Sequence, residues 1–434
     1  MHTKETITNS DINHNKKQVI VVGGGFAGLQ LARNLDKRYF NVLLIDKINH
    51  HQFQPLFYQV ATSQIEPASI SFPFRNIFKG QKHIQIRMAE LLRVKPDQQT
   101  ITTTTGDFEY DYLIIATGCK TNYFGNPNIQ NNSFSLKTTF DSITIRNHIL
   151  LTFEKVIAAK KEDRESLLNL AIVGGGPTGV ELAGAFSEIK NEILPKDYHD
   201  VDFSTFTIRL IEGSDRILGN MSPQSGKAAA RYLKKMGVIL QTNTFVKNYD
   251  GETITLSTGE TIKTKNVIWA AGVTGNPIEG LSENVLVPGN RIKVDRQNKV
   301  NRFSNIFAVG DIAYMETPKY PKGHPQVANV AINQARLLAK NLKRALLNKP
   351  LKDYEYVDLG SMATIGRNKA VVDLPFIKFK GYPAWLVWMF LHLMLILSVR
   401  NRLIIFINWA WLYITKNTSL RLILTPGRNT RNNH

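Results

Sequence analysis

Two glycine clusters carry the chemistry of this chain. Gly23, Gly25 and Gly28 stand in VIVVGGGFAGLQLA, and Gly174, Gly176 and Gly179 in NLAIVGGGPTGVELAG. Each has the spacing G-x-G-x-x-G between an apolar run and a segment of helical period. That spacing suits a dinucleotide pyrophosphate. The first glycine makes the turn, the second lets the backbone approach the phosphates, and the third lets helix and strand pack closely. Phe26 and Ala27 complete the first turn, Pro177 and Thr178 the second. A carboxylate about 20 residues on should accept the ribose hydroxyls. Asp46 ends NVLLID at that distance. Glu212 ends IRLIE somewhat later, and the excess falls in KNEILPKDYHDVDFST, read as a surface insertion. Arg216 lies close enough to leave a 2′-phosphate open.

The elements that must position these turns repeat as well. The first unit runs from Gly23 to a strand ending YLIIATG at Thr117 and Gly118; the second runs from Gly174 to NVIWAAG at Gly272. Near-equal spans with matching ends predict two copies of one nucleotide-binding domain. Apolar strands alternating with helical segments predict parallel α/β sheets. FAVGD supplies a third strand end, closed by Gly310 and Asp311. The chain is therefore expected to return to its first domain. The second would be inserted in it, with hinges near Leu136–Asp141 and Asn276–Pro288.

Composition narrows the chemistry. Of 434 residues, 54 are Lys or Arg and 35 Asp or Glu, a formal charge of +19 that favours anionic partners. No basic run with interleaved aromatics and no known module points to nucleic acid. One cysteine, Cys119, excludes a disulfide within the chain and a cysteine-only metal or iron–sulfur site. His50 and His51 are adjacent and point to opposite faces of a strand, and His324 and His392 stand alone, so no metal site is expected. Residues 1–17 are polar and read as a mobile arm.

Two cradles suit a flavin dinucleotide held permanently and a nicotinamide dinucleotide in transit, and the reduced flavin then needs an electron acceptor. A disulfide beside it would require a second cysteine. Oxygen or a soluble carrier would leave the C-terminus unexplained. AWLVWMFLHLMLILSV (Ala384–Val399) and LIIFINWAWLYI (Leu403–Ile414) are apolar, flank RNR, and lie in a stretch without Asp or Glu after Asp373. The first is shorter than the roughly 20 residues of a spanning helix, and joining the two puts Arg400 and Arg402 in the lipid. Tryptophans with flanking Lys and Arg suit helices lying in one leaflet. A core helix or a homodimer contact is the competing use.

These features resemble the two-dinucleotide flavoproteins and, within them, the type II NADH:quinone oxidoreductases. NHHQFQPLFYQVAT (Asn49–Thr62), GGGPTGVELAG, AAGV and LHLMLILSVRNRLIIFINWAW carry the closer likeness. The resemblance implies non-covalent FAD, NADH as donor, a membrane quinone as acceptor and no proton pumping. By position, Gly23, Gly25, Gly28, Asp46, Thr117, Gly118, Gly310 and Asp311 would hold FAD. Gly174, Gly176, Gly179, Glu212 and Gly272 would line the NADH site. Glu181 would stand where nicotinamide meets flavin. The family's Ala-Gln-x-Ala-x-Gln quinone motif departs here: PQVANVAINQA puts Asn329 and Asn333 at the glutamine positions, with Gln326 beside them.

The expectation is an α/β chain with two Rossmann-like domains, one inserted in the other, and a C-terminal amphipathic helical membrane anchor. FAD binding would occupy 18–138 and 286–374, the latter with the quinone-site helix. NADH binding would occupy 139–285, and the anchor 375–434. The enzyme would sit on an anionic lipid surface on the NADH-containing, cytoplasmic side. A soluble NAD(P)H–flavin reductase and a non-catalytic membrane redox sensor are the alternatives.

Overall fold

The computed structural model describes residues 16–199, 201–281, 283–417 and 420–423, so residues 1–15 of the expected arm lie outside it. Two compact units result. The first gathers residues 16–51, Phe72–Lys120 and Val273–Val357; the second gathers Gln52–Ser71, Thr121–Gly272 and 358–423.

Each unit is built on a five-stranded sheet. In the first, the order is Ile306–Ala308, Tyr112–Ile115, Lys17–Val22, Phe40–Asp46, Ile84–Met88. In the second, it is Phe134–Ser135, Asn266–Trp269, Asn169–Val173, Thr207–Ile211, Val238–Gln241. Both sheets pair in parallel throughout. Their central strands are apolar runs buried on both faces, as parallel sheets covered by helices require. Val22 aligns with Ile45 on one side and Ile115 on the other. Val173 aligns likewise with Ile211 and Trp269. Each glycine turn therefore leaves the carboxyl end of a central strand, between its two neighbours, where such sheets bind ligands.

The chain crosses between units at Lys120–Thr121 and Gly272–Val273, earlier than the hinges expected near Leu136–Asp141 and Asn276–Pro288. The reason lies in pairing. Phe134–Ser135 is already the edge of the second sheet, and Thr138 caps the Thr139–Ala158 helix with a reciprocal capping box to Asp141. On the return, Asn276 already donates its amide to the Thr117 carbonyl, at 3.2 Å, inside the first unit. The C-terminal part also joins the second unit from residue 358, not from 375. Its strands Ser361–Gly366, Lys369–Asp373 and Lys378–Lys380 form an antiparallel sheet. The first of them passes against the Pro177–Glu188 helix at Gly184.

Two helices follow, Tyr382–Leu395 and Val399–Thr415. They are separated where Arg402 turns back to cap the end of the first, donating to the carbonyls of Ile396 at 2.8 Å and Met394 at 3.0 Å. One face is core: Ala384, Trp388, Asn401, Ile405 and Trp409 are buried. Asn401 donates to the Ala68 and Ser69 carbonyls at 3.2 and 3.0 Å. The other face exposes Phe390, Leu395, Leu403, Phe406, Ile407 and Ile414. Among the described residues, no helix is long and apolar enough to cross a membrane.

A Cβ at Gly184 would stand 1.8 Å from the Ile365 carbonyl oxygen. Gly184→Ala is expected to cost about 3 kcal/mol, the upper end for overpacking, because backbone is the obstacle. Urea unfolding measures it. Gly219→Ala, where a Cβ meets nothing within 4 Å, should be near neutral.

Candidate active site

In the first unit, Gly23 adopts φ +102°, and a Cβ there would stand 2.3 Å from the Ala116 carbonyl oxygen. At Gly28 it would meet the Gly23 carbonyl at 1.8 Å. Only glycine permits either approach. Gly25 begins the Phe26–Asn34 helix with open space beside it, so the N–H groups of the first turn can face an anion. Asp46 closes the arrangement. One carboxylate oxygen accepts the Gly24 N–H at 2.6 Å, the other the Ile48 N–H at 3.0 Å. Burial pushes its carboxyl up, against those two amides. A carboxylate offers about four lone-pair positions, so each oxygen can still take a ribose hydroxyl. A cleft of about 290 Å³ opens here, lined by Gly23, Asp46, Lys47, Thr117, Lys120 and Asn276 among others. The Thr117 hydroxyl is buried without a partner, which fits a bound polar group. Gly118 follows at φ +64°.

The second unit repeats this geometry. A Cβ at Gly174 would stand 2.7 Å from the Ala270 carbonyl, and at Gly179 it would stand 1.9 Å from the Gly174 carbonyl. Gly176 leads into the Pro177–Glu188 helix with open space beside it, and Pro177 and Thr178 are exposed at the helix start. Glu212 binds the Gly175 N–H at 2.6 Å, the same bond that Asp46 makes to Gly24. The longer spacing in sequence thus leaves the acid in place. The other Glu212 oxygen takes the Ser214 N–H at 2.8 Å and lies 2.7 Å from the Ser214 hydroxyl. The Arg216 guanidinium turns to the Gly219 carbonyl, at 2.9 Å. Gly272, at φ +73°, lies against the Phe124 ring.

Glu181 projects from the Pro177–Glu188 helix into a cavity of about 60 Å³ within the second unit. Tyr58, Gln59, Thr364, Trp388 and Trp409 are among its other walls. Burial pushes the Glu181 carboxyl up to about 8. The Thr364 N–H, 3.4 Å away, and the Trp388 indole N–H, which faces it without completing a hydrogen bond, oppose that shift. Glu181 is therefore an acid holding its proton at neutral pH, a strongly perturbed group of the kind found at functional sites. This enclosure escaped sequence reasoning. The one signal was the run Asn49–Thr62, which holds Tyr58 and Gln59.

The remaining candidates are tied up within the first unit. The Gly310 N–H donates to the buried Gln334 side chain at 2.9 Å. The Asp311 carbonyl accepts from Arg291 Nε at 3.0 Å and from Gln326 Nε2 at 3.1 Å; Gln326 also donates to Cys119 Sγ at 2.9 Å. On the Ala328–Leu346 helix, Asn333 donates to Asn329 at 2.6 Å, and Asn329 to the Val357 carbonyl at 3.0 Å. His51 is buried with its ring nitrogen 3.0 Å from the Gly24 carbonyl. Burial lowers its pKa to about 4 and keeps it neutral, so it braces the first glycine turn.

Two such cradles in one chain define an oxidoreductase that handles two dinucleotides. Comparison with known proteins agrees. Residues 17–335 match the pyridine nucleotide-disulphide oxidoreductase family, and residues 359–416 match the NDH2 C-terminal domain. The type II NADH:quinone oxidoreductase NdhA of Mycobacterium tuberculosis is 33% identical over 413 residues, 91% of this chain and 87% of that protein. The type II NADH:quinone oxidoreductase of Staphylococcus aureus is 27% identical, over 82% and 89%. The structure of NDH2 from Plasmodium falciparum in complex with NADH shares the fold at 22% identity, with a TM-score of 0.86 over 95% of this chain and 100% of that one. The chain belongs to the pyridine nucleotide-disulphide oxidoreductase family and, within it, to the type II NADH:quinone oxidoreductases.

Two predictions arise from this geometry. Asp46→Asn keeps an acceptor for Gly24 but removes the charge. A charge-assisted bond contributes about 1.5–3 kcal/mol, so FAD should dissociate at least tenfold more readily while NADH affinity stays near normal. Unchanged FAD affinity would remove Asp46 from the site. Glu181 bears on stability. The folded chain keeps a proton up to about 8 that the unfolded chain releases near 4.5. Its contribution is present below that range and is lost as pH rises through it, by at most about 1.4 kcal/mol per pH unit. Glu181→Gln should flatten the fall of Tm between pH 5 and 8, followed by calorimetry.

Proposed function

We propose that this chain oxidises NADH and reduces a membrane quinone through non-covalent FAD, without pumping protons. The matched pair of carboxylate-braced cradles carries the reading: Asp46 to Gly24 and Glu212 to Gly175, both at 2.6 Å. The first-unit cradle, with its cleft and the unpartnered Thr117 hydroxyl, suits a resident dinucleotide. When bound, FAD supplies a two-electron carrier between a hydride donor and a quinone. The second cradle receives NADH. Its Pro177–Glu188 helix places N–H groups at the pyrophosphate, and the Glu212 carboxylate takes free ribose hydroxyls while repelling a 2′-phosphate. Arg216 is turned to the Gly219 carbonyl.

Glu181 is buried and keeps its proton, and can hold a hydrogen bond to a group that gains electron density. Asn329 and Asn333 already use one N–H each, and Gln326 is held by Asp311 and Cys119. What these amides offer a quinone is limited to their remaining protons and lone pairs. The exposed apolar face of the two C-terminal helices supports seating in one leaflet of an anionic membrane on the NADH-containing side. The same helices are core on their other face, so anchor and site are built from one element.

Purified protein loaded with FAD tests the reading. NADH should bleach the flavin and a quinone should restore its colour, with NADPH much slower. Failure of NADH to bleach, or recolouring by oxygen but not by quinone, sinks it. Phe406→Glu with Ile407→Glu should leave bleaching intact and cut binding to anionic liposomes at least tenfold. Undiminished liposome binding would remove the helices as the anchor.

A further inference from the structure

Gln59 stands between two groups that leave it no choice of role. The Trp409 indole N–H can only donate, and it lies 2.8 Å from Gln59 Oε1. The amide must then turn its N–H groups the other way. One reaches the Tyr58 phenol oxygen at 2.9 Å. Tyr58, Gln59 and Trp409 are each at most 5% exposed. The Tyr58 oxygen is therefore an acceptor toward Gln59, and its own proton points elsewhere. All three residues line the cavity that holds Glu181. Burial, with the Glu181 carboxyl nearby, holds the phenol well above its ordinary range, so Tyr58 is a neutral donor at every working pH. The cavity of about 60 Å³ has room for about two water-sized groups. That admits a carbonyl oxygen.

We propose that Tyr58 donates its O–H to a carbonyl oxygen of the quinone at this cavity, and that Gln59 and Trp409 are positioning residues that set the direction of that donor. The proposal rests on the NADH:quinone reading. It gives the Val399–Thr415 helix a part in substrate recognition. The helix carries Trp409 inward and its apolar face outward, so its seating decides whether Tyr58 points into the cavity.

Gln59→Glu tests the direction rather than the packing. A carboxylate of the same size still accepts from Trp409 but has no proton for Tyr58. Tyr58 then turns its O–H to residue 59, and the cavity loses its donor. Protonating the introduced acid restores the original arrangement. In full-length, FAD-loaded protein, Tyr58→Phe should lower kcat/KM for a short-tailed quinone at least tenfold. NADH-driven bleaching should stay within twofold of wild type. Gln59→Glu should match Tyr58→Phe at high pH and recover as pH falls, through a titration absent from wild type. Glu181, Glu188, Arg367 and Tyr413 line the same cavity, so the wild-type profile over that range is the reference. A Tyr58→Phe enzyme with the wild-type quinone rate overturns the proposal. So does a Gln59→Glu enzyme whose quinone rate tracks wild type at every pH, or is depressed equally at every pH. A wild type that bleaches with NADH but reduces no quinone would overturn the functional reading itself, and the proposal with it.

Discussion

Both nucleotide cradles depend on the absence of a Cβ at Gly23 and Gly174. In each unit, the backbone leaving the central strand touches the carbonyl of the neighbouring strand end, Ala116 in one and Ala270 in the other. Any side chain there would push the turn off the sheet. Because the turn stays down, the following helix starts at the carboxyl edge of the sheet with its N–H groups free. The next glycine N–H can then be held by an acid from the adjacent strand. Asp46 and Glu212 perform the same task at the same distance, although their spacing in sequence differs. The position of the acid is set by strand register, not by residue count.

The C-terminal hairpin shows a different economy. Its helices are apolar on nearly every side, a composition that suits a membrane or a core equally well. The structure uses both options at once. Trp388, Ile405 and Trp409 complete the interior of the second unit, while Phe390, Phe406 and Ile407 remain exposed. Arg402, costly within a lipid-spanning helix, instead closes the break between the two helices by bonding the carbonyls at the end of the first. The polar group that argued against one long helix is the one that stabilises two short ones.

Much of this was legible from the chain alone. The repeated glycine spacing, the strand before each turn and the strand ends at Thr117, Gly272 and Asp311 marked both sheets before any coordinates, because those signals are local. Domain limits were less legible. A hinge was expected near Leu136, yet Phe134 and Ser135 already pair with Asn266–Trp269. Two residues of edge strand carry too little periodicity to be read. The roles of Gln326, Asn329 and Asn333 were likewise hidden. An amide's partner depends on which carbonyl the fold brings near, and here those belong to Asp311 and Val357.

By itself, the sequence determined two glycine turns at the ends of parallel strands and the acid that braces each, Asp46 and Glu212. Glycine spacing and strand length act over a few residues and need no distant partner. Only the tertiary structure decided the state of Glu181. Its surroundings come from three remote stretches: Tyr58 and Gln59, the strand at Thr364, and the helices bearing Trp388 and Trp409. Desolvation is a property of everything that surrounds a group. No spacing within one segment could show that a carboxyl in the Pro177–Glu188 helix keeps its proton to about pH 8.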